Sequence, residues 1–347
     1  MERQNLLGPH DPLVARDLAA RFRLRGGEVI GGLVSGDHNR DNGRMLREIT
    51  SIDRVTPDAR HELKPFEELT AVNPDRRVRL EVQGGPMSMR VLDLLTPIGF
   101  GQRALIVAPP RTGKTVLLQQ MAASIAKNHP DVHMLVLLID ERPEEVTEMR
   151  RTVNGEVMAS SNDQDIASHI RLARLILAAA KRRVETGQDV VILLDSLTRL
   201  GRAFNAHIRG SGRIMSGGLD IRALTEPKGI FGSARNVENG GSLTIIASAL
   251  IETGSRMDEV IFNEFKGTGN MEIVLTRQLA NLRIWPAIDL HQSGTRKEEL
   301  LLSQVELERS HAVRRLYVGR PPEMAMRTLL EQMERYPTNA EFIATAR

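Results

Sequence analysis

Residues 105–122 read LIVAPPRTGKTVLLQQMA. An apolar run leads into Ala108-Pro109-Pro110-Arg111-Thr112-Gly113-Lys114-Thr115, and the segment after it places Leu117, Leu118, Met121, Ala122 and Ile125 on one helical face. That order of strand, loop and amphipathic helix is the setting a phosphate-binding P-loop requires. Backbone N–H groups at the helix start would surround a β-phosphate, Lys114 would reach the β and γ oxygens, and the Thr115 hydroxyl would ligate Mg²⁺. Ala108 stands where the common pattern has Gly, a change that is tolerable if the position does not need a positive φ. A chance Gly-Lys-Thr in a surface turn rarely falls between a buried strand and an amphipathic helix, so nucleotide binding is the leading reading.

A Mg²⁺ bound to phosphates needs a carboxylate at the end of a neighbouring strand. VVILLDS places Asp195 at the carboxyl end of an apolar run, where open α/β sheets hold their ligands. LLIDERPEEVTEM sends Asp140, Glu141, Arg142, Glu144 and Glu145 off the end of another. Glu141 is the candidate general base for the attacking water. Glu144 and Glu145 fit a solvated first helical turn after Pro143, where negative charge suits the helix dipole.

Around these stretches, strands alternate with helices. RALIVA, a helix over 114–127, MLVLLI, a helix over 163–185, VVILLD, SLTIIASAL and MEIVLT follow one another from Val91 onward. The pattern predicts an α/β fold with a mostly parallel sheet covered by helices, and the tail from Lys297 has helical spacing. The first 60 or so residues have short apolar patches and Gly/Asn turns, which predicts a small β-rich module over 1–64, a linker over 65–90 and the large domain over 91–347. The chain has 347 residues, 47 Lys and Arg against 44 Asp and Glu, and no Cys. Its formal charge of +3 makes no general case for nucleic acid, which must come from local clusters. The absence of Cys excludes disulfides and thiolate chemistry and suits a reducing compartment. The longest apolar run, MLVLLI, is far too short to span a membrane, and the amino-terminal sequence has no apolar signal core. The expectation is a soluble, cytoplasmic protein.

Seven stretches in order, APPRTGKT, IDERPEEVTEM, LLDSLTRL, GSGRIMSGGLD, ETGSRMDE, GTGNME and PAIDLHQSGTRKEELL, resemble the bacterial transcription termination factor Rho family, densely from Val91 to Leu302. The resemblance implies a RecA-like ATPase that uses ATP and Mg²⁺, forms a homohexamer and threads single-stranded RNA. It would translocate toward the RNA polymerase elongation complex to release the transcript. By the same resemblance Gly99, Phe100, Gly101, Gln102, Arg103 and Ala104, then Arg111, Thr112, Gly113, Lys114, Thr115 and Val116, would line the nucleotide, with Arg142 nearby and Trp285 stacking on adenine. Arg199 is matched as well, although an Arg on a helix after a strand is often only a salt-bridge partner. Arg296 matches an arginine finger supplied to the adjacent subunit's ATP, where a guanidinium fork stabilises charge on the transferring phosphoryl group. RNA contacts would come from two glycine-bearing loops, with Arg213, Ile214 and Ser216 in one and Thr253, Gly254 and Arg256 in the other. Such contacts read phosphate and sugar rather than bases.

The amino-terminal region departs from the family pattern. DPLVARDLAARFRLRGGEVIGGLV resembles the later part of an OB-fold, and the expectation is a module without the earlier strands that bear base-stacking aromatics. Phe22 is the only aromatic before Phe66, and ten Arg among residues 1–60 are nearly balanced by nine Asp or Glu. With stacking contributing about 1–3 kcal/mol per base, weakened RNA loading through this module is expected beside an intact motor. Arg111 stands where the family commonly has Lys. A regulator of hexamers without catalysis, a rotary ATP synthase subunit and a recombinase are the competing readings. Lys114, Glu141, Asp195 and Arg296 together weigh against the first, and Arg213 and Arg256 against the others.

Overall fold

The computed structural model describes residues 11–35, 44–208 and 214–345. At the amino-terminal side, β1 (Leu13–Val14), β2 (Ile30–Ser35) and β3 (Met45–Ile52) make a three-stranded sheet flanked by α1 (Arg16–Arg21) and α2 (Pro57–Glu62). Its small core gathers Leu46, Ile49 and Ile52 with Phe22 and Leu24 against them. Short strands β4 (Ala71–Val72), β5 (Arg77–Val78) and β6 (Ile98–Gly99) and helix α3 (Met87–Leu95) lead into β7 (Arg103–Ala108) and α4 (Lys114–Asn128). There follow β8 (His133–Glu141), α5 (Pro143–Thr152), β9 (Glu156–Ser161), α6 (Ile166–Glu185), β10 (Asp189–Asp195) and α7 (Leu197–His207). A hairpin of β11 (Ile214–Met215) and β12 (Leu219–Asp220), helix α8 (Thr225–Gly232) and β13 (Arg235–Val237) come before β14 (Ser242–Leu250). Helix α9 (Arg256–Lys266), β15 (Met271–Val274), α10 (Arg277–Asn281) and β16 (Gly294–Thr295) complete the sheet, and α11 (Gln304–Tyr317), α12 (Pro322–Met333) and α13 (Asn339–Thr345) close the chain.

The main sheet runs β16-β15-β7-β14-β10-β8-β9, parallel from β15 to β9, with β13 and β16 antiparallel at its margins. β7 shows why both faces must be covered. Ala104, Ile106 and Ala108 point into one apolar cluster with Leu117, Leu118 and Met121 of α4, while Leu105 and Val107 point into a second with residues of α6 and α7. Each buried Leu, Ile or Val among these contributes about 1.5–3 kcal/mol of transfer free energy, so the strand is fixed from both sides.

Two boundaries differ from the sequence reading. The expected linker over 65–90 is packed into the fold: β4 pairs with β13, and Phe66, Val78 and Leu80 are fully buried. The expected boundary at Val91 falls inside α3, whose residues from Ser88 to Leu95 are all buried. Spaced Pro and Gly suggested a loose connection, but the apolar residues between them decide the packing. The helix expected from residue 163 begins at Ile166, because the Asp165 side chain accepts from Ser168 N and caps it.

The amino-terminal sheet is joined to the main one through a buried ion cluster. Glu185, at the end of α6, accepts from Arg25 at 2.5 Å, Arg60 at 2.6 Å and the Phe66 backbone N–H at 2.7 Å, with Arg182 at 3.0 Å. Its side chain is fully buried. Gly27, at φ 86°, packs so tightly on α6 that a Cβ there would lie 2.5 Å from the Ala178 carbonyl carbon. Removing Glu185 takes the shared carboxylate from three guanidinium groups, leaving Arg60 with Asp53 at 3.4 Å and Arg182 with Glu28 at 3.8 Å. Glu185→Ala is therefore expected to destabilise the fold by about 3–5 kcal/mol, read as a lowered midpoint in urea unfolding.

Candidate nucleotide site and its surroundings

The loop after β7 is held by its own atoms. Thr112 Oγ1 donates to the Pro109 carbonyl at 2.7 Å, and Arg111 and Gly113 take positive φ values of 67° and 82°. Ala108 is not among the positive-φ residues, so this position has no need of Gly. Gly113 is required twice over, since a Cβ on it would also meet a ring carbon of Trp285 at 2.8 Å. The Trp285 ring thus lies over the loop, 43% exposed, and Val116 beside it is 53% exposed. These are the apolar surfaces available to a base at this site.

Across the carboxyl edge of the sheet, three neighbouring strands converge on Lys114. Its ammonium donates to both oxygens of Asp195, at 2.5 and 2.6 Å, and lies 3.6 Å from Glu141. Ser248 of β14 donates to Asp195 at 2.7 Å. Arg199 of α7 donates to the Asp140 carbonyl and, at 3.3 Å, to Glu141. Asp195 and Glu141 are each 2% exposed. Burial, then the adjacent Asp195 carboxylate, pushes the Glu141 carboxyl up to about 7, against the pull of Lys114 and Arg199. A buried carboxyl that takes and gives a proton near neutral pH is suited to general-base work. Arg142 stands at the amino end of α5 and is exposed, and Thr115 is half-buried in the first turn of α4.

Not every expected residue gathers here. Gly99, Phe100, Gly101, Gln102 and Arg103 lie at the amino end of β7, one strand length from the loop. Six residues at about 3.3 Å each put roughly 20 Å between the two ends. Within one subunit they do not line the same site as Lys114, and Ala104 is a fully buried core residue. Phe100 is likewise buried, edge-on to His129 and under Arg76. The Gln102 amide instead donates to Asn270, whose carbonyl accepts from Arg296 N at 2.9 Å. Arg296 therefore shares the amino edge with Gln102, and it is exposed.

The two glycine-bearing loops touch each other. Gly217, at φ 77°, comes so near the second loop that a Cβ would lie 2.7 Å from Met257 N. Thr253 Oγ1 donates to Asp258 at 2.6 Å, Gly254 takes φ 78°, and Arg256 opens α9 with its side chain exposed. Ile214 and Ser216 belong to the hairpin region, and Arg213 lies outside the described residues. One face of α7 serves all of these parts. Arg199 reaches Glu141, Arg202 forms a two-pronged pair with Asp258, and Asn205 bonds to Asp220 N and the Gly218 carbonyl. Ser248, Arg202 and Asn205 were not singled out from the sequence. The three-residue spacing of Arg199, Arg202 and Asn205, which keeps them on one helical face, was the available signal.

Residues 88–295 match the ATP synthase alpha/beta family, nucleotide-binding domain. A type III secretion system ATPase from pathogenic bacteria superposes with a TM-score of 0.63 over 80% of this chain and 78% of its own, at 24% identity, which speaks for the fold. Transcription termination factor Rho of Cereibacter sphaeroides is 50% identical over 345 residues, 98% of this chain and 82% of that protein. Rho of Streptomyces coelicolor is 51% identical over 335 residues, 96% and 79% of the two chains. Among the described residues no helix is long and apolar enough to cross a membrane. With half its residues shared along almost its whole length, and a nucleotide-binding domain built around Lys114, Asp195 and Glu141, this chain belongs to the transcription termination factor Rho family.

Proposed function

We propose that the chain hydrolyses ATP in an RNA-dependent manner as one subunit of a homohexameric ring. The ring moves along single-stranded RNA in its pore and releases the transcript from the RNA polymerase elongation complex. The observation that carries this reading is the Lys114, Asp195 and Glu141 cluster at one edge of the sheet, tied through α7 to both glycine-bearing loops. In the nucleotide-bound site Lys114 exchanges Asp195 for phosphate oxygens, and Glu141 receives the proton of the attacking water. Thr115 and Asp195 offer the hard oxygen donors that suit Mg²⁺, which supplies charge neutralisation on the phosphates when bound. Arg213, Thr253, Gly254 and Arg256 are the proposed contacts to the RNA backbone.

The test is ATP hydrolysis by purified protein with and without poly(C). Stimulation is expected, and Lys114→Ala is expected to lower it about 10²- to 10³-fold, the cost typical of removing one donor aimed at developing charge. No stimulation by any RNA defeats the reading.

A further inference from the structure

The turn that carries Arg296 is gripped from outside the sheet. Arg314, on α11, donates from one terminal nitrogen to the carbonyls of Leu290 and Ser293, both at 3.1 Å, and from the other to the Leu95 carbonyl. No carboxylate lies within ion-pair distance of it among the described residues, and burial lowers its guanidinium from the ordinary Arg range. A cation withdrawn from water and aimed only at main-chain oxygens is a costly arrangement for a mere helix staple. Its acceptors are informative: Leu290 and Ser293 lie just before β16, and Leu95 ends α3. On the other side of the same crossing, Thr295 Oγ1 donates to the Pro97 carbonyl at 2.8 Å, and Ser293 Oγ accepts from Val274 N at 2.9 Å. His311, one turn earlier on α11, lies 2.8 Å from Glu298. Helix α11 thus holds the turn both before and after Arg296. Arg296 itself is held only through its backbone N–H, and its guanidinium makes no bond to the described residues.

We propose that Arg314 is a positioning residue for Arg296. It fixes the turn at residues 290–296 so that the Arg296 guanidinium leaves the surface in one direction, toward the neighbouring subunit's nucleotide. The proposal rests on the reading of Arg296 as acting between subunits. A preorganised donor loses most of its effect when misplaced by an ångström, so the consequence falls on the rate step rather than on nucleotide binding.

The experiment measures RNA-stimulated ATP hydrolysis by assembled rings of Arg314→Ala and Arg314→Lys. A fall in kcat of at least about tenfold is expected, with KM for ATP within about twofold, since the cradle of each subunit is untouched. Arg314→Lys carries the same comparison if Arg314→Ala does not assemble. Each variant is then mixed with Lys114→Ala subunits, which have an intact Arg296 turn and a disabled cradle, with Arg296→Ala as the reference partner. Recovery of hydrolysis in the Arg314 mixtures matching the Arg296→Ala mixture is the expected result. Unchanged kcat, or recovery for Arg296→Ala but not for the Arg314 variants, overturns the proposal and leaves the reading of Arg296 standing. No recovery for Arg296→Ala overturns that reading, and this proposal with it.

Discussion

Arg296→Ala is expected to lower RNA-stimulated ATP hydrolysis about 10³- to 10⁵-fold while leaving KM for ATP nearly unchanged. Arg296 follows β16, which pairs with Met271 and Glu272, and these stand opposite Ala104 and Leu105 at the amino end of β7. The Lys114 cradle is at the other end of that strand. A side chain that reaches about a third of the roughly 20 Å between the ends cannot serve phosphates held by its own chain. Arg296 is also exposed, and its guanidinium makes no bond to the described residues, which fits a partner on another chain. On the proposed reading its contribution is confined to the transition state, with ground-state binding assigned to Lys114, Thr115 and the loop N–H groups of the cradle. Steady-state kinetics across a range of ATP concentrations checks the claim. A kcat within tenfold of the parent would falsify it.

How much of this could be read from residues alone depends on the distance between partners in the chain. The P-loop was legible because strand, loop and helix are consecutive, and each declares itself by its own periodicity. Asp195 and Glu141 were legible for a related reason, since both end apolar runs and parallel strands in an open sheet deliver their ends to one edge. GFGQRA, which the resemblance puts at the nucleotide, precedes β7 instead of following it, so within this chain a strand separates it from the P-loop. Ser248 and the Arg202–Asp258 pair were not legible, because they pair across 53 and 56 residues and nothing local distinguishes a polar residue that will find such a partner. Phe66 teaches a similar lesson. It lies in a stretch punctuated by Pro and Gly, yet it is fully buried between Arg235 at 4.5 Å and Lys181 at 5.2 Å, cations supplied by distant elements.

Glu141→Gln is expected to lower kcat about 10²- to 10⁴-fold and to abolish a pH dependence that the parent displays. In the parent, kcat/KM for ATP should rise with pH as the Glu141 carboxyl loses its proton and level off above about 7, where burial and the Asp195 carboxylate have set its titration. Gln keeps the shape and the contact with Arg199 but accepts no proton, so the variant's residual rate should be flat across that range. Stability moves the opposite way, which separates lost chemistry from a damaged fold. A carboxyl whose folded pKa is raised from 4.5 to about 7 binds its proton more tightly in the native state, so its contribution is fully present below about 4.5 and is lost as pH rises toward 7. Above pH 7 the parent holds a charge its surroundings disfavour, and Gln removes that charge. Thermal unfolding at about pH 8 should therefore show Glu141→Gln at least as stable as the parent. A variant that melts no lower and yet has lost its turnover lacks only a proton acceptor, and one that melts no lower and keeps the parent's turnover and pH dependence removes Glu141 from the role of base.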